Sequence, residues 1–170
     1  MRKARSKTRR AGAAGLDEQA AREKCLRLLA IRARSAAELR DGMRGVGFGE
    51  GVMEAVLLGL ERAGLVDDEE FARSWVASRQ PSGRSGRRKL RWELRSKGLS
   101  EEAIRRAVDE GIDDEMEVRA AMEVVRRRLR GRRAAEQDTA RLRRLLVGRG
   151  FEFETVSTVL ERMGEEEEHS

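Results

Sequence analysis

Residues 38–57 read ELRDGMRGVGFGEGVMEAVL, residues 89–108 read KLRWELRSKGLSEEAIRRAV, and residues 141–160 read RLRRLLVGRGFEFETVSTVL. The three segments align without gaps at offsets of 51 and then 52 residues. Leu39, Leu90 and Leu142 correspond, and each is followed by Arg (Arg40, Arg91, Arg143). Met43, Leu94 and Leu146 match one helical turn later, on the same face as the leucines. Gly47, Gly98 and Gly150 match next, followed by Phe48, Leu99 and Phe151. A Gly there suits the left-handed position that ends a helix, and the apolar residue after it supplies the hydrophobic contact of a Schellman cap. Met53, Ile104 and Val156, then Leu57, Val108 and Leu160, continue at helical spacing. Each segment therefore predicts a helix, a glycine turn and a second helix.

A further helix precedes each pair. It is predicted over 17–32 with Cys25, Leu26 and Leu29 near one face. In the second repeat it covers 67–79 with Phe71, Trp75 and Val76, and in the third 114–130 with Val118, Met122, Val125 and Leu129. Asp17, Asp67 and Asp114 are placed to cap these starts. Ser35 with Glu38 reads as a capping box, and Ser100 as an N-cap. No period-two strand pattern competes. The expected fold is all-α, three tandem three-helix repeats in an elongated, curved array. The repeats are expected over 16–64, 65–111 and 112–164, between a basic tail (1–15) and an acidic one (165–170). Leu39, Met43, Gly47, Phe71, Trp75, Leu90, Leu94, Gly98, Leu142, Leu146 and Gly150 are the expected core and cap positions.

Composition agrees with this picture. The chain has 170 residues, 40% charged, with one Pro and one Cys. One Pro favours long helices over a loop-rich β-sandwich. One Cys excludes an internal disulfide framework. No apolar run approaches a membrane span, and no apolar run follows the basic start as a secretory signal requires. A cytoplasmic protein, with no membrane partner, is expected.

The net charge of +6 is the remainder of larger opposing blocks. Residues 1–15 hold six basic and no acidic groups, and residues 165–168 are four consecutive Glu. Residues 84–98 hold seven basic groups and one Glu, and residues 126–133 hold six Arg and no acid. Two such clusters point to a polyanion or an acidic groove as partner. The third helices are acidic: 48–64, 99–110 and 151–164 each net −2. A helix-turn-helix module reads DNA with a basic last helix in the major groove, so base reading in that mode is disfavoured. The middle helices carry the basic surface instead, at 0, +6 and +2 for 35–47, 84–98 and 134–150.

GLVDDEEFARSWVASR (64–79), followed by GRRKLRWELRSKGLSEEAI (86–104), resembles the RecX family of regulators of the RecA recombinase. The Asp67, Asp68, Phe71, Ala72, Trp75 element combined with Glu93, Leu94, Lys97 and Gly98 carries the likeness. RLLAIRARSAAELR (27–40) and LRRLLVGRGFEFETVSTVL (142–160) support it. The likeness spans about residues 16–163 and departs at RQPSGRSGRRK (79–89), where Pro81 stands earlier than the family's usual turn. It implies a non-enzymatic regulator without cofactor or metal, expected to be a monomer. Such a protein binds the groove of the RecA–single-stranded-DNA filament and limits ATP hydrolysis, filament growth and strand exchange in DNA repair and the SOS response. Arg84, Arg87, Arg88, Lys89, Arg91, Arg95 and Lys97 are the expected main contact stripe. Arg126, Arg127, Arg128, Arg130, Arg132 and Arg133 extend it, with Arg143, Arg144 and Arg149 at its edge. The alternative is a general helical nucleic-acid-binding protein acting without RecA.

Other residues read structurally. Phe71 and Trp75 are expected in the core. Trp92, equivalent to Asp41 and Arg144, is expected to fill a gap between repeats rather than stack on a base. Cys25 reads as a small buried residue, because the only His, His169, lies in the acidic tail and offers no catalytic pairing. The carboxylates at 67–70 and 113–115 read as helix-start residues rather than metal ligands. No Gly-rich loop precedes a Lys-Ser/Thr pair, so no P-loop is present.

Overall fold

The computed structural model describes the backbone of residues 2–79, 85–129 and 136–168, and the side chains of 17–79, 85–129 and 139–165. Arg84, Arg130, Arg132, Arg133 and the turn holding Pro81 lie outside the described residues. The chain runs α1 (Arg2–Ile31), α2 (Ala36–Arg44), α3 (Glu50–Arg62), α4 (Asp68–Arg79), α5 (Arg87–Ser96) and α6 (Glu101–Ile104). A π turn over Arg105–Asp109 prolongs α6, and α7 (Asp114–Leu129), α8 (Glu136–Gly148) and α9 (Phe153–Glu168) follow. The described residues contain no strand.

The glycine turns explain why the helices stop where they do. Gly47, Gly98 and Gly150 hold φ of 95°, 74° and 80°, a region that side chains disfavour. Ser35 accepts a hydrogen bond from the Glu38 amide at 3.1 Å, and Ser100 one from the Ala103 amide at 3.2 Å. Two of the three expected Asp caps differ from the sequence reading. Asp67 does cap α4 by accepting from Glu70 N at 2.9 Å. Asp113, not Asp114, caps α7, accepting from Met116 N at 2.6 Å. Asp17 lies inside α1, which begins at Arg2. The Ala-, Arg- and Lys-rich start has helix propensity without any surface to bury, so backbone read as a tail is helical. The helix of α9 likewise continues through Glu168.

The chain forms two compact units, and their boundaries cross the repeats. The first comprises Met1–Phe71 with Lys97–Leu99. Here α1, α2 and α3 pack mutually around Cys25, Leu39, Met43, Met53, Leu57 and Leu60. Burial pushes the Cys25 thiol pKa up, which disfavours the reactive thiolate. The glycine turn at Gly98 belongs to this unit because α2 begins against it. Ser35 Oγ donates to the Lys97 carbonyl at 2.7 Å, and a Cβ on Gly98 would stand 2.3 Å from that of Ala37. Asp68 accepts from Ala36 N at 2.9 Å, and Lys97 Nζ donates to Glu38 at 2.8 Å. Burial alone would raise the Glu38 pKa; hydrogen bonds from Arg32 and Lys97 outweigh it and hold the carboxyl at about 2.

The second unit comprises Ala72–Ser96 and Ser100–Ser170. Helices α7, α8 and α9 enclose Val118, Met122, Val125, Leu142, Leu146, Phe151, Val156 and Val159. Leu90 and Leu94 of α5 are fully buried. The start of α5 docks on the end of α8, repeating the arrangement at Gly98 one repeat later. Gly86 N donates to the Arg149 carbonyl at 2.9 Å and Arg88 N to the Gly150 carbonyl at 3.0 Å. A Cβ on Gly150 would lie 2.4 Å from that of Lys89. Orphan amides of one helix start thus meet orphan carbonyls of another helix end.

Candidate polyanion-binding site

The basic run on α5 is largely engaged inside the fold. Arg87 is the most enclosed. Its amide donates to Glu117 Oε1 at 2.8 Å, and its guanidinium donates to the Ile112 carbonyl at 2.6 Å and bridges Asp114 at 2.8 Å. Glu117, only 2% exposed, also accepts the Thr155 hydroxyl at 2.7 Å. One carboxylate thereby ties α5, α7 and α9 together. Arg91 joins Asp109 of the π turn at 2.8 Å and Glu152 at 2.5 Å. Arg95 holds Glu101 through two hydrogen bonds of 2.6 and 2.8 Å, which lower the Glu101 pKa. With Lys97 on Glu38, four cations of the expected contact stripe carry structural ion pairs. Apart from Glu101, six positions beyond Arg95, the acids that engage them come from 18 to 61 positions away, which explains why local charge counting misses them. Arg88 is exposed and makes only a 3.5 Å contact to the Val147 carbonyl, and half-buried Lys89 makes no ion pair with the described residues.

The basic residues of α7 and α8 are arranged differently. Arg127, Arg128, Arg141, Arg144 and Arg149 surround a hollow of about 670 Å³ whose apolar floor is Val124 and Leu145. Arg141 and Arg144 with Leu145 share one face of α8, Arg149 follows in the turn after it, and Arg127 and Arg128 end the facing part of α7. Arg127 pairs with Glu123 at 2.8 Å. Arg128 and Arg144 make no hydrogen bond or ion pair with the described residues. Arg143 points to solvent off this face, and Arg126 does not line the hollow. Arg141 is the member that charge counting passes over. Its helical spacing from Arg144 is the signal that finds it.

Several guanidiniums around one concavity reinforce each other's field and present planar forks that match phosphate or carboxylate oxygens. The arrangement offers charge and shape rather than a reacting group. Among the described residues no three His, Cys, Asp or Glu side chains converge to hold a metal ion, and no helix is long and apolar enough to cross a membrane.

Two aromatics have unequal surroundings. Trp75 is half-buried; its indole N–H donates to Glu93 at 2.8 Å, and the Arg79 guanidinium lies 3.5 Å from the ring centroid. Trp92 does not fill a gap. It is 65% exposed, because its position on α5 faces away from buried Leu90 and Leu94.

Comparison with known proteins extends the picture. Residues 21–58 match the model of the first three-helix domain of RecX, and residues 67–108 that of the second. The chain is similar to regulatory protein RecX of Amycolatopsis mediterranei, 46% identical over 126 residues, 74% of this chain and 71% of that one. It is 43% identical over 131 residues to that of Mycobacterium avium, covering 77% of this chain and 75% of the relative. With Mycobacterium leprae RecX the identity is 38% over 146 residues, covering 84% and 85%. Among solved structures, RecX from Lactobacillus salivarius superposes with a TM-score of 0.79 at 17% identity, covering 88% of this chain and 98% of that one. A second RecX crystal structure gives 0.76 at 21% identity, covering 92% and 77%. At these identities the structural likeness speaks to the fold.

Proposed function

This chain belongs to the RecX family, and from that premise we propose that it regulates the RecA recombinase by binding in the groove of the RecA–single-stranded-DNA filament. Bound there, it restrains ATP hydrolysis, filament growth and strand exchange, in the cytoplasm and as a monomer. The observation that carries the reading is the arginine-lined hollow between α7 and α8. It holds two guanidiniums, on Arg128 and Arg144, that the described fold does not use. Single-stranded DNA presents a row of phosphates, and a concave array of guanidiniums is complementary to it.

The contact surface in this reading centres on the hollow, with Arg88 and Lys89 as the part of α5 that carries no ion pair with the described residues. Arg87, Arg91, Arg95 and Lys97 act through the fold they hold together. The test is the double variant Arg128→Glu with Arg144→Glu in a RecA ATPase assay on single-stranded DNA. Half-inhibition should need on the order of tenfold more protein, with thermal unfolding unchanged. Unaltered inhibition would remove the hollow from the contact surface. Equal affinity of the wild type for bare and RecA-coated strands would favour a general nucleic-acid-binding protein instead.

A further inference from the structure

A second hollow, of about 390 Å³, lies against the last turn of α8 and is lined by Arg88, Lys89, Trp92, Val147, Gly148 and Gly150, with Arg95 at its edge. We propose that Trp92 is a stacking platform for a base of single-stranded DNA, with Arg88 and Lys89 holding the adjoining phosphates. The proposal rests on the preceding reading only for the strand's presence in the filament.

The indole is the starting point. A Trp that is 65% exposed contributes little to a core, and its ring N–H has no hydrogen-bond partner among the described residues. The repeat does not demand it, since the equivalent positions carry Asp41 and Arg144. Arg144 lines the arginine hollow, so this position of the middle helix borders a hollow in both repeats.

The surroundings select the ligand. Gly148 has open space where a side chain would begin, and Val147 is 38% exposed, which leaves a flat, partly apolar floor. Arg88 and Lys89 stand one turn before Trp92 on the same face of α5. Arg95 is neutralised by Glu101, so the rim carries two available positive charges. A flat apolar surface flanked by cations fits a planar base joined to a phosphate. A π face accepts any base, so the site reads no sequence.

The test uses the full chain and two labelled oligonucleotides of equal length, one oligo(dT) and one abasic, followed by fluorescence anisotropy. The wild type should prefer oligo(dT). Trp92→Ala should weaken oligo(dT) binding by about 5- to 100-fold and leave abasic binding unchanged, and Trp92→Phe should keep most of the preference. Because Trp92 is exposed, the unfolding midpoint of both variants should match the wild type, which separates the effect from misfolding. No oligonucleotide binding by the wild type, no preference for bases, or equal losses on both strands would overturn the proposal. So would a Trp92→Ala variant that loses affinity only for DNA-free RecA, which would make the face a protein contact. Any of these results leaves the ATPase test of Arg128 and Arg144 standing on its own.

Discussion

On α5, Arg87, Arg91 and Arg95 reach Asp109, Asp114, Glu117, Glu152 and Glu101. On α7 and α8, Arg127, Arg128, Arg141, Arg144 and Arg149 line open space. The two basic segments look alike as strings, yet one is a set of struts, while in the other Arg128 and Arg144 make no ion pair with the described residues. The difference lies in which elements face them. The acidic starts of α7 and α9 are brought against α5, while the α8 face that meets the end of α7 brings more arginine. Charge density in a sequence therefore marks where cations are, and packing decides which of them remain available to a partner.

Stability and binding readouts separate the two roles, and the largest effect should come from the strut side. Glu117→Ala should cost about 3 kcal/mol in denaturant unfolding, because it leaves the Arg87 amide and the Thr155 hydroxyl without their shared acceptor and removes the buried carboxylate 3.9 Å from the Arg87 guanidinium. A cost near zero would mean that α5 is not held by this carboxylate.

Gly150→Ala should come next, at about 2 kcal/mol, since it combines positive φ with a Cβ placed 2.4 Å from that of Lys89. The control is Gly47→Ala, with φ of 95° but open space around it, expected at about 1 kcal/mol. Equal costs would show that docking of α5 on α8 adds nothing beyond the backbone conformation.

Acid should expose the strut in the first unit. The folded Glu38 pKa of about 2 lies below its ordinary value of 4.5, so its stabilisation is fully present above that value and is lost as pH falls toward 2. Urea midpoints measured from pH 5 downward should fall less steeply for Glu38→Gln than for the wild type. Parallel profiles would discount the Arg32–Glu38–Lys97 cluster. The smallest stability effect, within about 0.5 kcal/mol, is expected for Arg128→Glu with Arg144→Glu, whose loss should appear in filament inhibition alone.

Much of the helical frame is legible in the repeat. Leu39, Leu90 and Leu142 are buried, and Gly47, Gly98 and Gly150 sit at positive φ, because apolar spacing and a missing Cβ act over one or two turns. The residues that escape such reading depend on distant chain. Trp92 is exposed because its side of α5 faces away from buried Leu90 and Leu94. Arg141 joins Arg128 only because α8 folds back against α7. Asp17 fails as a cap because helix propensity carries α1 back to Arg2.

The sequence by itself determined the all-α class, the threefold repeat, the turns that end the middle helices and the family. Each of these is written in short-range spacing or in direct similarity. Only the tertiary structure decided which arginines are neutralised and which surround a hollow. Coulomb pairing depends on distance in space, and Arg91 meets Glu152 across 61 positions of chain.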